Sequence, residues 1–296
     1  MLPTIALGFC GAAGIPSLRH RNAVSNFVAH AQPSSKPLRC IVVGGSSGVG
    51  EAICLELGKR GAKVFVTGRK EENLQKVAAA VEGAGGYGRC GAGDVTVEAD
   101  VKRLYAEAEG FFAEGITVDS FGADSWVEGE AGVDVLVTSA GIGRFGLIEE
   151  LTEKEFSASF DVNVKGTWLW ARQVLPVMKE AGNGQVVFIS SVAGLRKFAR
   201  CSVYGASKWA VQGIAGSLRE ECRGSGVKVA TLCPGSVATP WWMERERGGK
   251  EIPATPEMLE TMLTAADCAA ACMSIIDQSS SADIESIVLE PPSKAT

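Results

Sequence analysis

A tyrosine and a lysine four positions apart, with a serine upstream, form the pattern with the clearest chemistry in this chain. Tyr204 and Lys208 bound the segment Tyr-Gly-Ala-Ser-Lys, and Ser191 precedes them. On a helix, residues four apart share one face, so the Lys208 ammonium is expected to favour the Tyr204 phenolate and lower the pKa of that tyrosine. The three residues would supply an acid, its electrostatic activator and a hydrogen-bond donor. An ordinary surface pair is the alternative interpretation of the spacing alone.

The distribution of histidine gives this group added weight. The two histidines, His20 and His30, both lie near the N-terminus, in a stretch unlike the rest of the chain. No other side chain has an unperturbed pKa near neutrality. Proton transfer in the remainder therefore needs a carboxylate, thiol, lysine or tyrosine whose pKa is shifted by its surroundings.

The elements that must position these residues alternate between short β-branched segments and longer helical patterns. Strands are predicted at 40–43, 63–67, 133–138, 185–190, 227–233 and 284–289, with a further one within 86–91. Helices are predicted at 48–60, 71–82, 99–112, 152–179, 205–223 and 256–277, and a surface loop at 114–132. Continuous apolar strands are typical of a sheet covered on both faces. The pattern predicts an α/β fold, a doubly wound parallel sheet of the Rossmann type with about seven strands and helices on both faces.

A glycine-rich segment with the spacing G-x-x-x-G-x-G joins the first predicted strand to the first helix. Glycines allow a tight turn and close approach of backbone to phosphate, and the free amides and dipole of the following helix stabilise a pyrophosphate. A purely structural turn is the alternative, but a position at the first strand–helix junction favours nucleotide binding. The residues expected to contact the nucleotide here are Gly44, Ser46, Ser47, Gly48, Val49 and Gly50.

The residues after the second strand indicate which nucleotide is bound. NAD-binding folds place an acidic residue there to hold the ribose 2′-hydroxyl, whereas this chain has Gly68 and Arg69. A guanidinium matches a 2′-phosphate in geometry and charge, so NADP(H) is favoured over NAD(H). A solvated arginine at a helix start is the alternative. Asp94, after the next strand, either faces the adenine amino group or serves only its turn.

Together these motifs resemble the short-chain dehydrogenase/reductase family in its single-domain form, over roughly residues 39–291. The resemblance rests on motifs that occur in family order: Gly44-x-x-x-Gly48-x-Gly50, Asp94-Val95, Ser139-Ala140-Gly141, Asn163, Ser190-Ser191, Tyr204-x-x-x-Lys208 and Pro234-Gly235-x-Val237-x-Thr239.

The resemblance implies a catalytic set of Asn163, Ser191, Tyr204 and Lys208. Tyr204 would protonate the carbonyl oxygen as hydride arrives, and act as base in the reverse direction, while Ser191 donates a hydrogen bond to the same oxygen. Lys208 would lower the Tyr204 pKa and hold the nicotinamide ribose, and Asn163 would fix a water that relays protons to the lysine. The remaining implied cofactor contacts are Val95, Ser139, Ala140, Gly141, Pro234, Gly235, Val237 and Thr239.

Two departures from the family pattern are visible. Ser139 stands where the family usually has asparagine, a structural hydrogen-bonding residue beside the cofactor. The position just before Gly48 lacks the basic residue found in many members that prefer NADP. Arg69 is therefore the principal support for NADP(H).

Loops at 142–150, 193–203 and 236–253 are expected to face a small carbonyl or alcohol substrate. Their aromatic residues predict an apolar lid, and their cations either receive an acidic substrate or are solvated. Cys201 either makes the site sensitive to thiol oxidation or is a packing residue. The side chains concerned are Arg144, Phe145, Arg196, Phe198, Arg200, Trp241, Trp242 and Met243.

The predicted function is an NADP(H)-dependent oxidoreductase that transfers hydride between the nicotinamide and a ketone, aldehyde or hydroxy acid. A non-catalytic NADP(H)-binding regulatory protein on the same fold is the alternative. An epimerase or dehydratase is disfavoured because the chain is short for a separate sugar-nucleotide domain. The family resemblance implies a homodimer or homotetramer formed through helices 152–179 and 205–223.

Charge is unevenly distributed along the 296 residues. Residues 1–50 contain no Asp or Glu and four of the 29 basic residues, which leaves 25 basic and 34 acidic residues, a net charge of −9, for the remainder. That acidity disfavours binding to nucleic acid or to an anionic membrane. The nine cysteines include no C-x-x-C pair, so neither zinc nor a disulfide framework is expected.

Residues 1–38 are predicted to be an N-terminal extension of a single domain at 39–296. Their lack of acid and their Arg, Ser and Ala content resemble an organelle transit peptide, directed to plastid or mitochondrion. The apolar run at 5–15 is too short to span a bilayer. A disordered extension or a wrongly chosen start codon is the alternative, and the protein is otherwise expected to be cytoplasmic.

Overall fold

A parallel sheet of seven strands, in the order β3-β2-β1-β6-β7-β8-β9, forms the centre of the part described by the computed structural model, residues 36–120, 123–127, 129–242 and 255–292. The predicted doubly wound α/β fold is confirmed. The strands of this sheet are β1 Arg39–Val43, β2 Lys63–Gly68, β3 Tyr87–Ala92, β6 Val135–Thr138, β7 Gly184–Ile189, β8 Val227–Pro234 and β9 Ser286–Leu289.

Helices connect the strands and cover both faces of the sheet. They are α1 Gly48–Lys59, α2 Glu71–Gly83, α3 Glu98–Ala113, α4 Glu153–Phe160, α5 Gly166–Ala181, α6 Ser202–Glu221, α7 Pro256–Glu260 and α8 Ala265–Ile276.

Alternation along the strands divides the core into two apolar clusters. On β1, Ile41 and Val43 belong to the cluster with α3, α5 and α6. Cys40 and Val42 belong to the cluster with α1, α2 and α8. All four side chains are buried, as expected for a strand between two helical layers. Because the strands are parallel, their carboxyl ends meet at one edge, where ligands bind in open α/β sheets.

The glycine-rich strand β3 owes its composition to close helix packing. A Cβ at Gly88 would lie 2.1 Å from the Ala78 carbonyl oxygen of α2. Any side chain there would push α2 off the sheet. The glycines that obscure the strand pattern in the sequence are the residues that let the strand pack.

The single helix predicted at 152–179 is interrupted. Its N-terminus has a capping box in which Thr152 and Glu155 exchange hydrogen bonds. A π-turn, Asp161–Lys165, then separates α4 from α5. Such wide turns commonly occur at functional sites, and this one contains Asn163.

Two other sequence expectations were wrong. The predicted surface loop at 114–132 contains an antiparallel pair, β4 Ile116–Ser120 and β5 Ala123–Val127. The predicted helix at 256–277 is two helices, because Thr264 caps α8 through a capping box with Asp267. In the second segment the local capping signal outweighs the helical pattern on either side of it.

Candidate active site

The glycine turn after β1 is tight and leaves no room for side chains. Gly44 and Gly48 have positive φ angles of 78° and 61°, a region that L-residues rarely adopt. A Cβ at Gly44 would lie 2.4 Å from the Ala140 nitrogen, and one at Gly50 would lie 2.3 Å from the Gly44 carbonyl oxygen. The turn is therefore packed against the end of β6, with the N-terminus of α1 directly behind it.

One continuous cleft of about 400 Å³ runs along the carboxyl edge of the sheet, a volume typical of small-molecule sites. It brings together nearly all of the cofactor residues predicted from the sequence. Two predicted site residues, Gly50 and Asn163, do not line it, and both are buried. The predicted residues that line the cleft are Gly44, Ser46, Ser47, Gly48, Val49, Arg69, Asp94, Val95, Ser139, Ala140, Gly141, Ser191, Tyr204, Lys208, Pro234, Gly235, Val237 and Thr239.

One end of the cleft contains the residues predicted to recognise the adenosine part of the nucleotide. Arg69 is exposed directly after β2. The Asp94 carboxylate accepts a hydrogen bond of 2.8 Å from the Thr96 amide, and the Asp94 amide donates to Asp100. Val95 is buried, and a Cβ at Gly166 would lie 2.8 Å from it. Asp94 is thus held in a fixed turn whose next residue packs on α5.

Asn163 fastens the π-turn to the loop that follows β6. Its Oδ1 accepts a hydrogen bond of 2.8 Å from the Ile142 amide, and its Nδ2 donates to the Ile142 carbonyl at 2.8 Å. Nδ2 also donates to the Ser207 hydroxyl. Asn163 therefore ties three elements of the site together, and its predicted role in a proton relay stays a prediction.

Ser191 and Tyr204 meet in the middle of the cleft. Ser191 lies two residues after the end of β7 and has an extended backbone conformation. Its hydroxyl lies 3.4 Å from the Pro234 carbonyl oxygen. A hydrogen bond between Ser191 and Tyr204 lowers the Tyr204 pKa, but burial outweighs it and raises that pKa to about 12. Tyr204 is therefore a protonated phenol at neutral pH, which suits an acid.

Lys208 lies beneath the tyrosine on the same face of α6. Its Nζ is 5.8 Å from the Tyr204 ring centroid and donates a hydrogen bond of 2.9 Å to the Ile189 carbonyl. Burial lowers the Lys208 pKa to about 8. The pairing on one helical face is as predicted, but the expected lowering of the Tyr204 pKa is not found. The tyrosine is dominated by desolvation, and the lysine itself is near its deprotonation point.

The segment after β8 closes the floor of the cleft against the glycine turn. The Gly235 amide donates to the Leu289 carbonyl at 2.8 Å, which joins the segment to β9. A Cβ at Gly48 would meet the Thr239 methyl group at 3.2 Å. The two predicted cofactor-binding segments therefore contact each other.

Aromatic side chains from separate loops surround Tyr204. The Phe145 and Trp241 rings lie 5.2 Å and 6.0 Å from the Tyr204 ring, and 5.7 Å from each other. The sequence marked both residues as a lid but gave no sign of this contact, because they are distant along the chain. Met243 lies outside the described residues.

The three arginines considered as receptors for an acidic substrate all have protein partners. Arg196 pairs with Glu290 at 2.6 Å, and Arg200 pairs with Glu150 at 2.9 Å. Arg144 donates to the Gly143 carbonyl at 2.8 Å. Cys201 is buried in the cleft wall, and burial raises its thiol pKa, so it is a protonated packing residue there.

Within the described ranges, no helix is long and apolar enough to cross a bilayer. No group of three or more His, Cys, Asp or Glu side chains in them is arranged to hold a metal ion.

A doubly wound parallel sheet with a serine, a tyrosine and a lysine gathered beside a glycine turn defines the class of Rossmann-fold oxidoreductases. Within that class the chain belongs to the short chain dehydrogenase family, whose sequence profile matches residues 39–119 and 123–249. It is therefore an oxidoreductase acting on a CH–OH or C=O group.

Known proteins resemble the chain over most of its length. The sepiapterin reductase of Chlorobaculum tepidum is 28% identical over 260 residues, covering 86% of this chain and 96% of that protein. A metagenomic short-chain oxidoreductase, solved in complex with NADP, is 27% identical with a TM-score of 0.69 and covers 88% of this chain and 100% of its own. The alcohol dehydrogenase of Thermococcus sibiricus, solved with 5-hydroxy-NADP, shares the fold at a TM-score of 0.73 and 24% identity, covering 88% and 99%.

Proposed function

We propose that the protein is an NADP(H)-dependent oxidoreductase that interconverts a small carbonyl compound and its alcohol, with Tyr204 as general acid and base. The observation that carries the proposal is the meeting of Ser191, Tyr204 and Lys208 in one cleft with the glycine turn, with Lys208 Nζ 5.8 Å from the Tyr204 ring. The nicotinamide nucleotide, when bound, supplies or accepts the hydride.

The residues of the cleft fit such a nucleotide. A Cβ at Gly44 or Gly50 would overlap backbone atoms within 2.5 Å, so the turn admits only glycine where backbone must approach a phosphate. The N-terminus of α1, a helix of 12 residues, favours an anion at that point. Thr239 and Val237 line the same cleft, with Thr239 beside Gly48 of the turn, and they would hold the carboxamide.

In the reducing direction, the substrate carbonyl oxygen would accept hydrogen bonds from Ser191 and Tyr204. Because the Tyr204 pKa is raised to about 12, the phenol holds its proton until negative charge develops on that oxygen. In the oxidising direction the phenolate would remove the alcohol proton, so that direction is favoured by alkaline pH.

Lys208 and Asn163 would support the tyrosine from behind. Lys208 Nζ lies close enough to Tyr204 to stabilise a transient phenolate while it remains protonated. Asn163 holds the loop after β6 in place through both Ile142 hydrogen bonds, and its proposed relay of protons to Lys208 runs through this corner of the cleft.

The test of the proposed chemistry is Tyr204→Phe. Hydride transfer to a panel of ketones, aldehydes and hydroxy acids should fall by at least about 100-fold, the range of a lost general acid. Tyr105→Phe is the matched control, because Tyr105 lies on α3 outside the cleft and its hydroxyl donates to Glu109. Undiminished turnover in Tyr204→Phe would contradict the assignment. Tight NADPH binding by the native protein without turnover of any carbonyl would instead favour the non-catalytic regulatory protein.

We further propose that Arg69 selects NADP(H) over NAD(H). It is exposed beside the cleft and makes no ion pair within the described residues, and the metagenomic relative was solved with NADP. Arg69→Ala should weaken NADPH binding by about tenfold or more and leave NADH binding unchanged. Arg223→Ala, in which an exposed arginine paired only with Glu220 is removed, is the control. Equal catalytic efficiency of the native protein with both nucleotides would defeat the assignment.

We propose a homodimer or homotetramer that uses α4, α5 and α6. Phe156, Trp168 and Trp209 each expose nearly half of their surface on these helices, and exposed aromatic patches commonly mark interfaces. Light scattering on the native protein, compared with Trp168→Glu, tests this. A native monomer at micromolar concentration would contradict it.

We also propose that residues 39–296 form a single domain and that residues 1–38 are a transit peptide that directs the protein to a plastid or mitochondrion. Residues 1–35 lie outside the described ranges. Fusion of residues 1–38 to a fluorescent protein would test the address. A plastid or mitochondrial signal supports a transit peptide, whereas a diffuse cytoplasmic signal supports the other interpretation.

A further inference from the structure

Three aromatic rings form a closed group around the reacting hydroxyl. We call Phe145, Tyr204 and Trp241 the aromatic triangle, since their centroids lie 5.2, 5.7 and 6.0 Å apart. All three line the cleft and each remains partly exposed to it. Their interplanar angles of 51°, 81° and 53° are those of tilted and edge-to-face pairs, which leave ring faces and edges available to a further ring.

Neighbouring residues fix the positions of the rings in the aromatic triangle. A Cβ at Gly143 would lie 2.5 Å from Trp241 and 2.6 Å from Phe145, so only glycine lets the two rings meet there. The Trp242 indole packs edge-on against Trp241 at 4.9 Å and donates a hydrogen bond of 2.8 Å to the Val237 carbonyl. The position of Trp241 is thereby fixed by its neighbour.

The loop that contains Phe145 is also fixed by contacts with a neighbouring loop. The Gly146 amide donates a hydrogen bond of 2.9 Å to the Arg200 carbonyl. Arg200 adopts a positive φ of 60°, a strained conformation for a residue with a side chain. Its guanidinium pairs with Glu150 at 2.9 Å. The loop after β6 and the loop before α6 are therefore joined by a hydrogen bond and an ion pair beside the aromatic triangle.

The surroundings of the aromatic triangle offer little to an ionic substrate. Among the described residues lining the cleft, the charged ones other than Lys208 are Arg69, Lys70 and Asp94, at the nucleotide end. Arg196 and Arg200 are already paired with carboxylates. Arg144 donates to the Gly143 carbonyl, and like the other two it does not line the cleft. A substrate carboxylate or phosphate placed against the rings would lose hydration without gaining a partner.

We propose that the substrate is an uncharged carbonyl compound with a planar ring next to the reacting carbon, and that Phe145 and Trp241 determine this preference. The inference rests on the proposed function, because it places the substrate oxygen at Tyr204. A group attached to the carbonyl carbon then lies within reach of the two neighbouring rings, where a flat ring gains edge and face contacts that a puckered one does not.

The test compares two pairs of ketones with the native protein and three variants. Acetophenone and cyclohexyl methyl ketone differ in ring planarity, and methyl 4-acetylbenzoate and 4-acetylbenzoate differ in charge. The variants are Phe145→Leu, Trp241→Leu and Trp241→Phe, with Tyr87→Leu on β3 as the control for loss of a half-buried aromatic side chain outside the cleft. The ratio of kcat/KM within each pair is measured, so differences in intrinsic reactivity cancel between variants.

The acetophenone to cyclohexyl methyl ketone ratio should fall about fivefold or more in both leucine variants, as expected when an aromatic contact is lost. It should be largely retained in Trp241→Phe and unchanged in Tyr87→Leu. The neutral ester should exceed the anion by about tenfold or more. Thermal melting of each variant identifies any loss that reflects unfolding, and Trp241→Phe keeps the inference testable if a leucine variant does not fold.

An unchanged ratio in the leucine variants, or a preference for the anion or for aliphatic ketones, would overturn the substrate class while leaving the proposed function standing. Absence of turnover with every carbonyl and both nucleotides would contradict the proposed function itself. The two failures are therefore distinguishable in the same experiment.

Discussion

At the scale of single residues, burial shifts the pKa values of the tyrosine and the lysine at the site in opposite directions. Burial raises the Tyr204 pKa to about 12 and lowers the Lys208 pKa to about 8. The sequence places the two on one helical face, but the depth at which α6 lies in the fold decides the sign of each shift. Desolvation is a tertiary property that spacing does not report.

The buried lysine predicts a particular pH dependence of stability. Below pH 8 Lys208 is charged in both folded and unfolded states, so folding bears the cost of burying that charge. Between pH 8 and 10 the folded state loses the proton while the unfolded state keeps it, so stability rises with pH, by at most about 3 kcal/mol. Denaturant unfolding of native protein and Lys208→Met should therefore show a difference that shifts in favour of the native protein from pH 7.5 to 10. A pH-independent difference would be evidence against the shift.

A methyl group at Gly141 should separate catalysis from stability. Its Cβ would lie 3.4 Å from Asn163 Oδ1 and 3.6 Å from Lys208 Nζ, ordinary contacts that require no shift of the backbone. Gly141→Ala should change the free energy of unfolding by less than about 1 kcal/mol yet lower kcat about tenfold by intruding between the two groups. Gly213→Ala, with no atom within 4 Å of its Cβ, is the control and should keep native kcat. Native kcat in Gly141→Ala would sink the proposed role of this corner.

At the scale of elements, a buried lysine on a strand donates hydrogen bonds to the carboxyl end of a helix. Lys63, on β2, is 2% exposed. Its ammonium donates to the Phe111 and Phe112 carbonyls at 3.1 Å, and also to the Glu114 carbonyl. The Phe111 carbonyl also accepts a hydrogen bond of 3.3 Å from the Glu114 amide. The three carbonyls lie at or just beyond the carboxyl end of α3, where the helix dipole favours a cation. Lys63 thus joins the sheet to α3 and to the start of β4.

Lys63→Met should be destabilising because it removes the ammonium that donates to the Phe112 and Glu114 carbonyls, while the Phe111 carbonyl keeps its bond from the Glu114 amide. The expected loss in the free energy of unfolding is about 2 kcal/mol, measured by urea denaturation. Lys102→Met on the exposed side of α3, where Lys102 pairs only with Glu98, should leave the urea midpoint in place. A midpoint for Lys63→Met equal to that of Lys102→Met would show that the carbonyls find other partners.

The elements also show which parts of the fold the sequence specifies. Strands buried on both faces are continuous apolar runs, and β1, β2, β6, β7 and β8 lie close to their predicted positions. The β4–β5 pair was missed because its acidic and Gly-rich composition hides an antiparallel register of Ile116 with Val127. The break before α8 was written in the sequence as Thr264 and Asp267, a capping box inside an otherwise helical pattern.

At the scale of the whole molecule, the nucleotide half of the cleft is local in sequence and the substrate half is not. The glycine turn and the Tyr204–Lys208 pair each lie within a few residues of the chain, so motif spacing is enough to find them. Phe145 and Trp241 meet only because β6 and β8 flank β7 in the sheet. Contacts made by topology, and pKa shifts made by burial, are what a single sequence withholds.

The two apolar clusters on the faces of the sheet contain most of the cysteines in the described ranges. Of the eight cysteines in the described ranges, seven are buried and only Cys90 is partly exposed. Burial raises the thiol pKa of Cys54 and raises that of Cys272 to about 12, which keeps both protonated and poorly nucleophilic.

The consequence is that the alkylation rate of each buried cysteine measures how often the structure around it opens. Iodoacetamide should label Cys90 quickly, while Cys54 and Cys272 should react only as fast as the helices α1 and α8 open from the sheet, as read by mass spectrometry of each cysteine. Rapid labelling of Cys272 in the native protein would contradict the burial. Because α1 presents its N-terminus to the glycine turn, a bound nucleotide should slow the labelling of Cys54 in proportion to its occupancy, so a buried thiol in the core would record ligand binding at the edge.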